Sequence, residues 1–124
     1  MVQVKINNLS HPLNRTLHAD YCSTFWSRLK GLMFRQQLDI EEGLLLVESR
    51  DSRLDSAIHM LFMNFDLAIV WVNDAGYVVD TCFAKRWKPA YIPSQPARYI
   101  LEFHPERLSE FRIGDQIEFS KGSQ

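Results

Sequence analysis

The sequence predicts a mainly β domain: an antiparallel jelly-roll-like sandwich or barrel with one short helix at about 24–35. Three observations predict it. Short runs rich in β-branched and aromatic residues recur along the chain, bounded by Gly, Pro, Asn or Asp. Only one stretch carries an apolar stripe at helical spacing. No crossover helices separate the strands, which argues against a parallel sheet.

Val2, Val4 and Ile6 alternate, giving a first strand that ends at Asn7-Asn8; Leu13 to His18 is expected to be a second. Ser23 or Thr24 caps the helix, whose stripe is Phe25, Leu29, Leu32 and Met33. Gly31 within it costs about 1 kcal/mol against Ala, which implies close packing on a sheet. Gly43 to Val47 is the next strand, and the charged stretch Arg50 to Ser56 a solvated loop. Ala57 to Val72 is the most apolar segment of the chain, and its second half, Leu67 to Val72, reads as a strand buried on both faces. Asn73-Asp74-Ala75-Gly76 turns it back into Tyr77 to Phe83 as a hairpin. Lys85 to Pro96 holds three prolines with Trp87 and Tyr91, so it is an ordered loop and not a central strand. Arg98 to Phe103 is a strand, Pro105 to Phe111 a helical turn, and Gln116 to Phe119 the last strand. The domain is expected to span 1–119, with 120–124 as a flexible tail.

The chain has 124 residues, one domain by length, with a core that needs no metal or disulfide. Its formal charge is −1, from 14 Lys and Arg against 15 Asp and Glu, which gives no support for binding nucleic acid or an anionic membrane. Ala57 to Val72 is shorter than the ~20 residues that span a bilayer. The start lacks a charged region followed by an apolar core, so a cytoplasmic location is expected. Cys22 and Cys82 are then expected as reduced thiols. They have no CxxC partner or activating base. The four histidines have no zinc spacing and the glycines form no phosphate loop, so neither metal nor cofactor is expected.

Arg28-Leu29-Lys30-Gly31-Leu32-Met33-Phe34-Arg35 resembles the signature of the bacterial and archaeal domain-of-unknown-function 192 family, also called uncharacterised protein family 0127. Glu42 to Leu45, Met60, Ile69 to Val72 with its turn, Pro93-Ser94, Ala97 to Glu102 and Gly114-Asp115 match in the same order. The resemblance implies a small jelly-roll-like sandwich and no particular activity. It also exposes a departure. Where family members carry a polar lysine, asparagine and threonine, this chain has Leu61, Phe62 and Met63, and Ala68 stands for an aspartate. A polar site is expected to have been lost there.

In the family pattern the helix arginine and the strand glutamate recur together, which implies a pair between a helix arginine, Arg28 or Arg35, and Glu102. Arg28, Arg35 and Arg98 form the polar set for an anion or carboxylate pocket, with an ion pair joining helix to sheet as the structural alternative. Trp87 and Tyr91 are the binding candidates in the proline-rich loop, unless they fold back over a sheet edge. His59, with Asp66 or Glu102, is the acid–base candidate of an enzyme on a small carboxylate or sugar, although its apolar surroundings favour a structural role. The leading expectation is a non-enzymatic binding or interaction module for a small molecule or protein. A structural subunit of a homo-oligomer, such as a homodimer, is the further alternative.

Overall fold

A computed structural model of the chain describes residues 3–22, 32 and 35–121. The strands are β1 (Gln3–Asn8), β2 (His18–Cys22), β3 (Glu42–Ser52), β4 (Leu67–Val72), β5 (Val78–Ala84), β6 (Ala97–Phe103) and β7 (Ile117–Lys121), with a short 3-10 helix at Pro105–Glu110. They form one seven-stranded sheet in the order β5-β4-β6-β3-β2-β1-β7. The sheet curls until its two edge strands approach. Tyr77 bridges Gln116, and the Val78 N–H donates to the Asp115 carbonyl at 2.9 Å. The mainly β class is borne out as a curled half-barrel.

Every described pairing is antiparallel except β2 with β3, which is parallel from His18–Glu42 to Cys22–Leu46. β2 and β3 run the same way, so β3 enters the sheet beside the end at which β2 begins. The second strand is displaced from Leu13–His18 to His18–Cys22. Its buried positions are Ala19 and Cys22, while Leu17 packs into the core just before it. β3 runs on past Val47 to Ser52, through a register shift against β6, into part of the expected loop. β7 continues to Lys121, two residues into the expected tail. The helix expected at 24–35 lies largely outside the described residues. Leu32, within that range, is wholly buried.

β4 organises the rest. Leu67, Ile69 and Trp71 enter one core with Met60, Met63, Leu44 and Ile100, while Ala68, Val70 and Val72 enter another with Ile6, Leu101, Phe103 and Ile117. Burial on both faces explains the absence of polar residues along it. The Trp71 indole N–H donates to the Ser56 carbonyl at 2.7 Å, which satisfies its one polar atom in the core. Gly43 in β3 lies opposite Phe103 in β6. A Cβ there would stand 2.8 Å from the Glu102 carbonyl oxygen, so only glycine lets these strands approach this closely.

Candidate functional site

Two irregular stretches, 57–66 before β4 and 85–92 after β5, are stitched together by backbone hydrogen bonds. Ile58 and Tyr91 exchange two, at 2.9 and 2.7 Å. The Met60 N–H donates to the Lys88 carbonyl at 2.9 Å, and the Trp87 N–H to the Met60 carbonyl at 2.7 Å. Pro89 has no N–H to give and lies between the two donors of its stretch, Trp87 and Tyr91.

Within 57–66 the apolar residues part company. Met60 and Met63 are fully buried, whereas Phe62 is 56% exposed. Trp87, on the other stretch, is 54% exposed. Their rings meet edge to face with centroids 5.4 Å apart at 64°. Both residues sit in the left-handed backbone region, Phe62 at φ 64° and Trp87 at φ 68°, and no other described non-glycine residue has a positive φ. Bulky side chains pay a steric penalty there, about 1–3 kcal/mol each.

Tyr91 takes the other course. It is half-buried against the β4 core, its hydroxyl accepts from the Lys85 N–H at 2.8 Å, and Lys88 Nζ lies 4.8 Å from its ring centre. The two aromatics named together from sequence therefore divide: Tyr91 covers the sheet, and Trp87 faces solvent beside Phe62.

Arg35 and Arg98 pair with different carboxylates. Arg35 is paired through both terminal nitrogens with the Glu42 carboxylate, one bond measuring 2.6 Å. That hydrogen bond holds the Glu42 carboxyl below the usual range and raises the guanidinium further. Arg98 donates to the Glu48 carbonyl at 2.9 Å and to Asp74 at 2.7 Å. Arg28 lies outside the described residues, so its expected pair with Glu102 does too; Glu102 itself is fully buried on β6.

His59 lines a cavity of about 140 Å³ with Glu48, Asp55, Leu46, Ile58 and Ile100. Burial, together with the charge of Asp55, pushes the Glu48 carboxyl up. Neither Asp66 nor Glu102 lines this space. Asp66 accepts from the Arg86 N–H at 2.9 Å and from its Nε at 3.1 Å, bonds that hold its carboxyl low, and it borders a different cavity with Gln36, Asn64 and His104. The expected grouping of His59 with those two carboxylates is not what the cavity presents. Among the described residues no cluster of three His, Cys, Asp or Glu side chains could hold a metal ion. Neither cysteine is in a disulfide, Cys22 is buried and Cys82 half-buried, and burial foremost pushes the Cys82 thiol up to about 12. No described helix is long and apolar enough to cross a membrane.

Sequence reasoning missed Phe62 because nothing local announces its backbone. Left-handed residues are usually glycine or asparagine, and the stretch reads as uniform core. It also passed over Glu48 and Asp55, which reach the His59 cavity from β3 and from the loop that follows it.

The curled sheet with its parallel β2–β3 pair places the chain in a class of small β domains already seen in crystals. It matches a candidate transcription regulator from Sinorhizobium meliloti with a TM-score of 0.79 at 18% identity, over 95% of this chain and 92% of that one. A protein of unknown function from Novosphingobium aromaticivorans matches with a TM-score of 0.76 at 22% identity, over 94% of this chain and 83% of that one. The chain belongs to the DUF192 family, described as Uncharacterized ACR, whose profile matches residues 6–119. It is 35% identical to a UPF0127 protein of Thermococcus gammatolerans over 68% of its own length and 54% of that relative's. A second, from Thermococcus kodakarensis, is 35% identical over 64% of this chain and 48% of its own, so the chain spans about half of these two relatives. Against the UPF0127 protein of Pyrococcus furiosus it is 31% identical, over 82% of this chain and 85% of that one.

Proposed function

We propose that this domain is a non-enzymatic binding or interaction module whose ligand surface is the Phe62–Trp87 pair with the lysines beside it. The observation that carries the reading is strain combined with exposure. Two bulky aromatics hold an unfavourable backbone conformation while more than half of each remains in water. The core gains little from that arrangement, and strain of this kind collects where a surface is shaped for a ligand.

The ligand class follows from the surrounding charge. From Thr81 to Leu101 the chain contains no acidic residue but has Lys85, Arg86, Lys88 and Arg98. Arg86 and Arg98 are in ion pairs with Asp66 and Asp74, which leaves the exposed Lys85 and Lys88, the latter with its ammonium over the Tyr91 ring. An aromatic edge flanked by ammonium groups suits a small molecule or protein segment with a flat apolar face and negative charge.

2-Naphthoate is a minimal probe of that chemistry. Calorimetric titration should give saturable one-to-one binding, weakened at least about tenfold, or ~1.4 kcal/mol, in the Phe62→Ala/Trp87→Ala double variant. Unchanged affinity in that variant would remove this surface from consideration. Light scattering on the same pair of proteins tests a second copy of the chain as the occupant. A dimer that the double variant abolishes would identify it.

A further inference from the structure

A separate polar cluster lies where β1 hands over to the loop that follows it. The Asn8 side-chain oxygen accepts from the Ser10 and His11 N–H groups at 3.0 and 2.9 Å, folding the loop back. Its amide nitrogen donates to Asp115 Oδ2 at 2.8 Å. Asp115, 3% exposed, also accepts from the Arg112 N–H at 3.0 Å, and its Oδ1 lies 2.8 Å from His11 Nδ1. A carboxylate facing Nδ1 fixes the proton on that nitrogen, so Nε2 presents its lone pair outward. Outward of it stands Arg112 Nη1, at 3.4 Å, the far limit of a hydrogen bond.

His11 and Arg112 line a cavity of about 240 Å³ with Pro12, Asn14, Ser109 and Glu110. Glu110 is an acid already answered: Arg107 Nε and Nη2 hold its two oxygens at 2.8 and 3.1 Å, and the Asn14 N–H donates to it at 2.9 Å. The charge left open to the cavity is the Arg112 guanidinium.

We propose that this cavity binds a small oxyanion between Arg112 and His11. The guanidinium presents parallel N–H groups that match two oxygens of a carboxylate, sulfate or phosphate. His11 takes one proton from solvent on Nε2 as the anion enters, and the resulting imidazolium lies between the ligand and Asp115. The charged groups facing it are Asp115 from the turn before β7, Arg112 from the segment after the 3-10 helix, and the neutralised Glu110 across the cavity. Burial alone would raise the Asp115 carboxyl. The Asn8, Arg112 and His11 hydrogen bonds outweigh burial and hold it below the usual carboxylate range, so it stays the anion that an imidazolium requires. This site shares no residue with the Phe62–Trp87 surface.

The test uses the whole chain with sulfate and acetate as probes, read by the NMR signals of the His11 ring at pH 6 and pH 8. Both anions keep their charge over that range, so any pH dependence belongs to the protein. The expected result is a saturable shift at His11, several-fold tighter at pH 6 than at pH 8. Sulfate favoured over acetate assigns the site to doubly charged oxyanions, and the reverse assigns it to carboxylates. Arg112→Gln keeps the backbone bond to Asp115 and should lose at least about tenfold in affinity; His11→Gln, read instead by the Arg112 backbone amide, should bind weakly with no pH dependence. No shift at His11 with either anion, equal affinity at the two pH values, or full affinity in Arg112→Gln would overturn the proposal.

Discussion

Replacing Arg107 by methionine should destabilise this domain more than any other single change outside the two cores. The side chain is 2% exposed within the 3-10 helix. Its guanidinium grips the Glu110 carboxylate and donates to the carbonyls of Thr16 at 2.8 Å, Ile40 at 2.9 Å and Arg15. One side chain thus ties the loop before β2, the approach to β3 and the helix into one unit. Methionine fills much of the volume but leaves a half-buried carboxylate and three carbonyls without that donor. Breaking one side of a buried pair costs about 3–5 kcal/mol, against a total of about 5–15 kcal/mol for an ordinary domain. For this length that is a fall in Tm of about 10–20 °C. The pH dependence has a definite sign. The Arg107 hydrogen bond is the main reason the Glu110 carboxyl lies below its ordinary value. The pair therefore stabilises the fold above the unfolded carboxyl value of about 4.3, and that contribution disappears as pH falls through the lower folded one. Urea unfolding of both proteins from pH 7 to pH 3 checks this: the gap should be largest at pH 7 and narrow in acid. A gap under about 1 kcal/mol at pH 7 would refute the reasoning, since so small a loss is typical of a surface pair.

Gly43→Ala should cost about 1–3 kcal/mol in urea unfolding, because the added methyl meets the Glu102 carbonyl oxygen and strand β6 must shift. Phe62→Asn and Trp87→Asn should leave stability within about 1 kcal/mol or raise it, since asparagine tolerates the left-handed region; a loss beyond that in thermal melts would make the pair structural. Cys22 and Cys82 should react with a thiol reagent at pH 8 much more slowly in the folded protein than in denaturant, given the burial of one and the raised thiol of the other.

Features written in periodicity could be read from the chain. Leu67 to Val72 is apolar at every position because its alternate residues serve two cores, and the Asn73 to Gly76 turn and the proline-rich loop fall where composition places them. Features made by distant residues could not. The parallel β2–β3 pair depends on where a long connection delivers the chain, and Leu13 to His18 looks as strand-like as His18 to Cys22. Nothing local in Pro105 to Glu110 marks Arg107 until Thr16 and Ile40 are brought to it. The candidate surface was half legible: Trp87 stood out among prolines, whereas Phe62 was concealed by the methionines beside it, which do face inward.

The binding account is tested most directly by the indole N–H signals of Trp26, Trp71 and Trp87 in a ¹⁵N-labelled protein titrated with 2-naphthoate. The Trp87 indole and the backbone amides of Lys85, Lys88 and Phe62 should move together and saturate. The Trp71 indole, buried and bonded to the Ser56 carbonyl, should stay still. A silent Trp87, or saturable shifts confined to other parts of the sheet, would contradict the account.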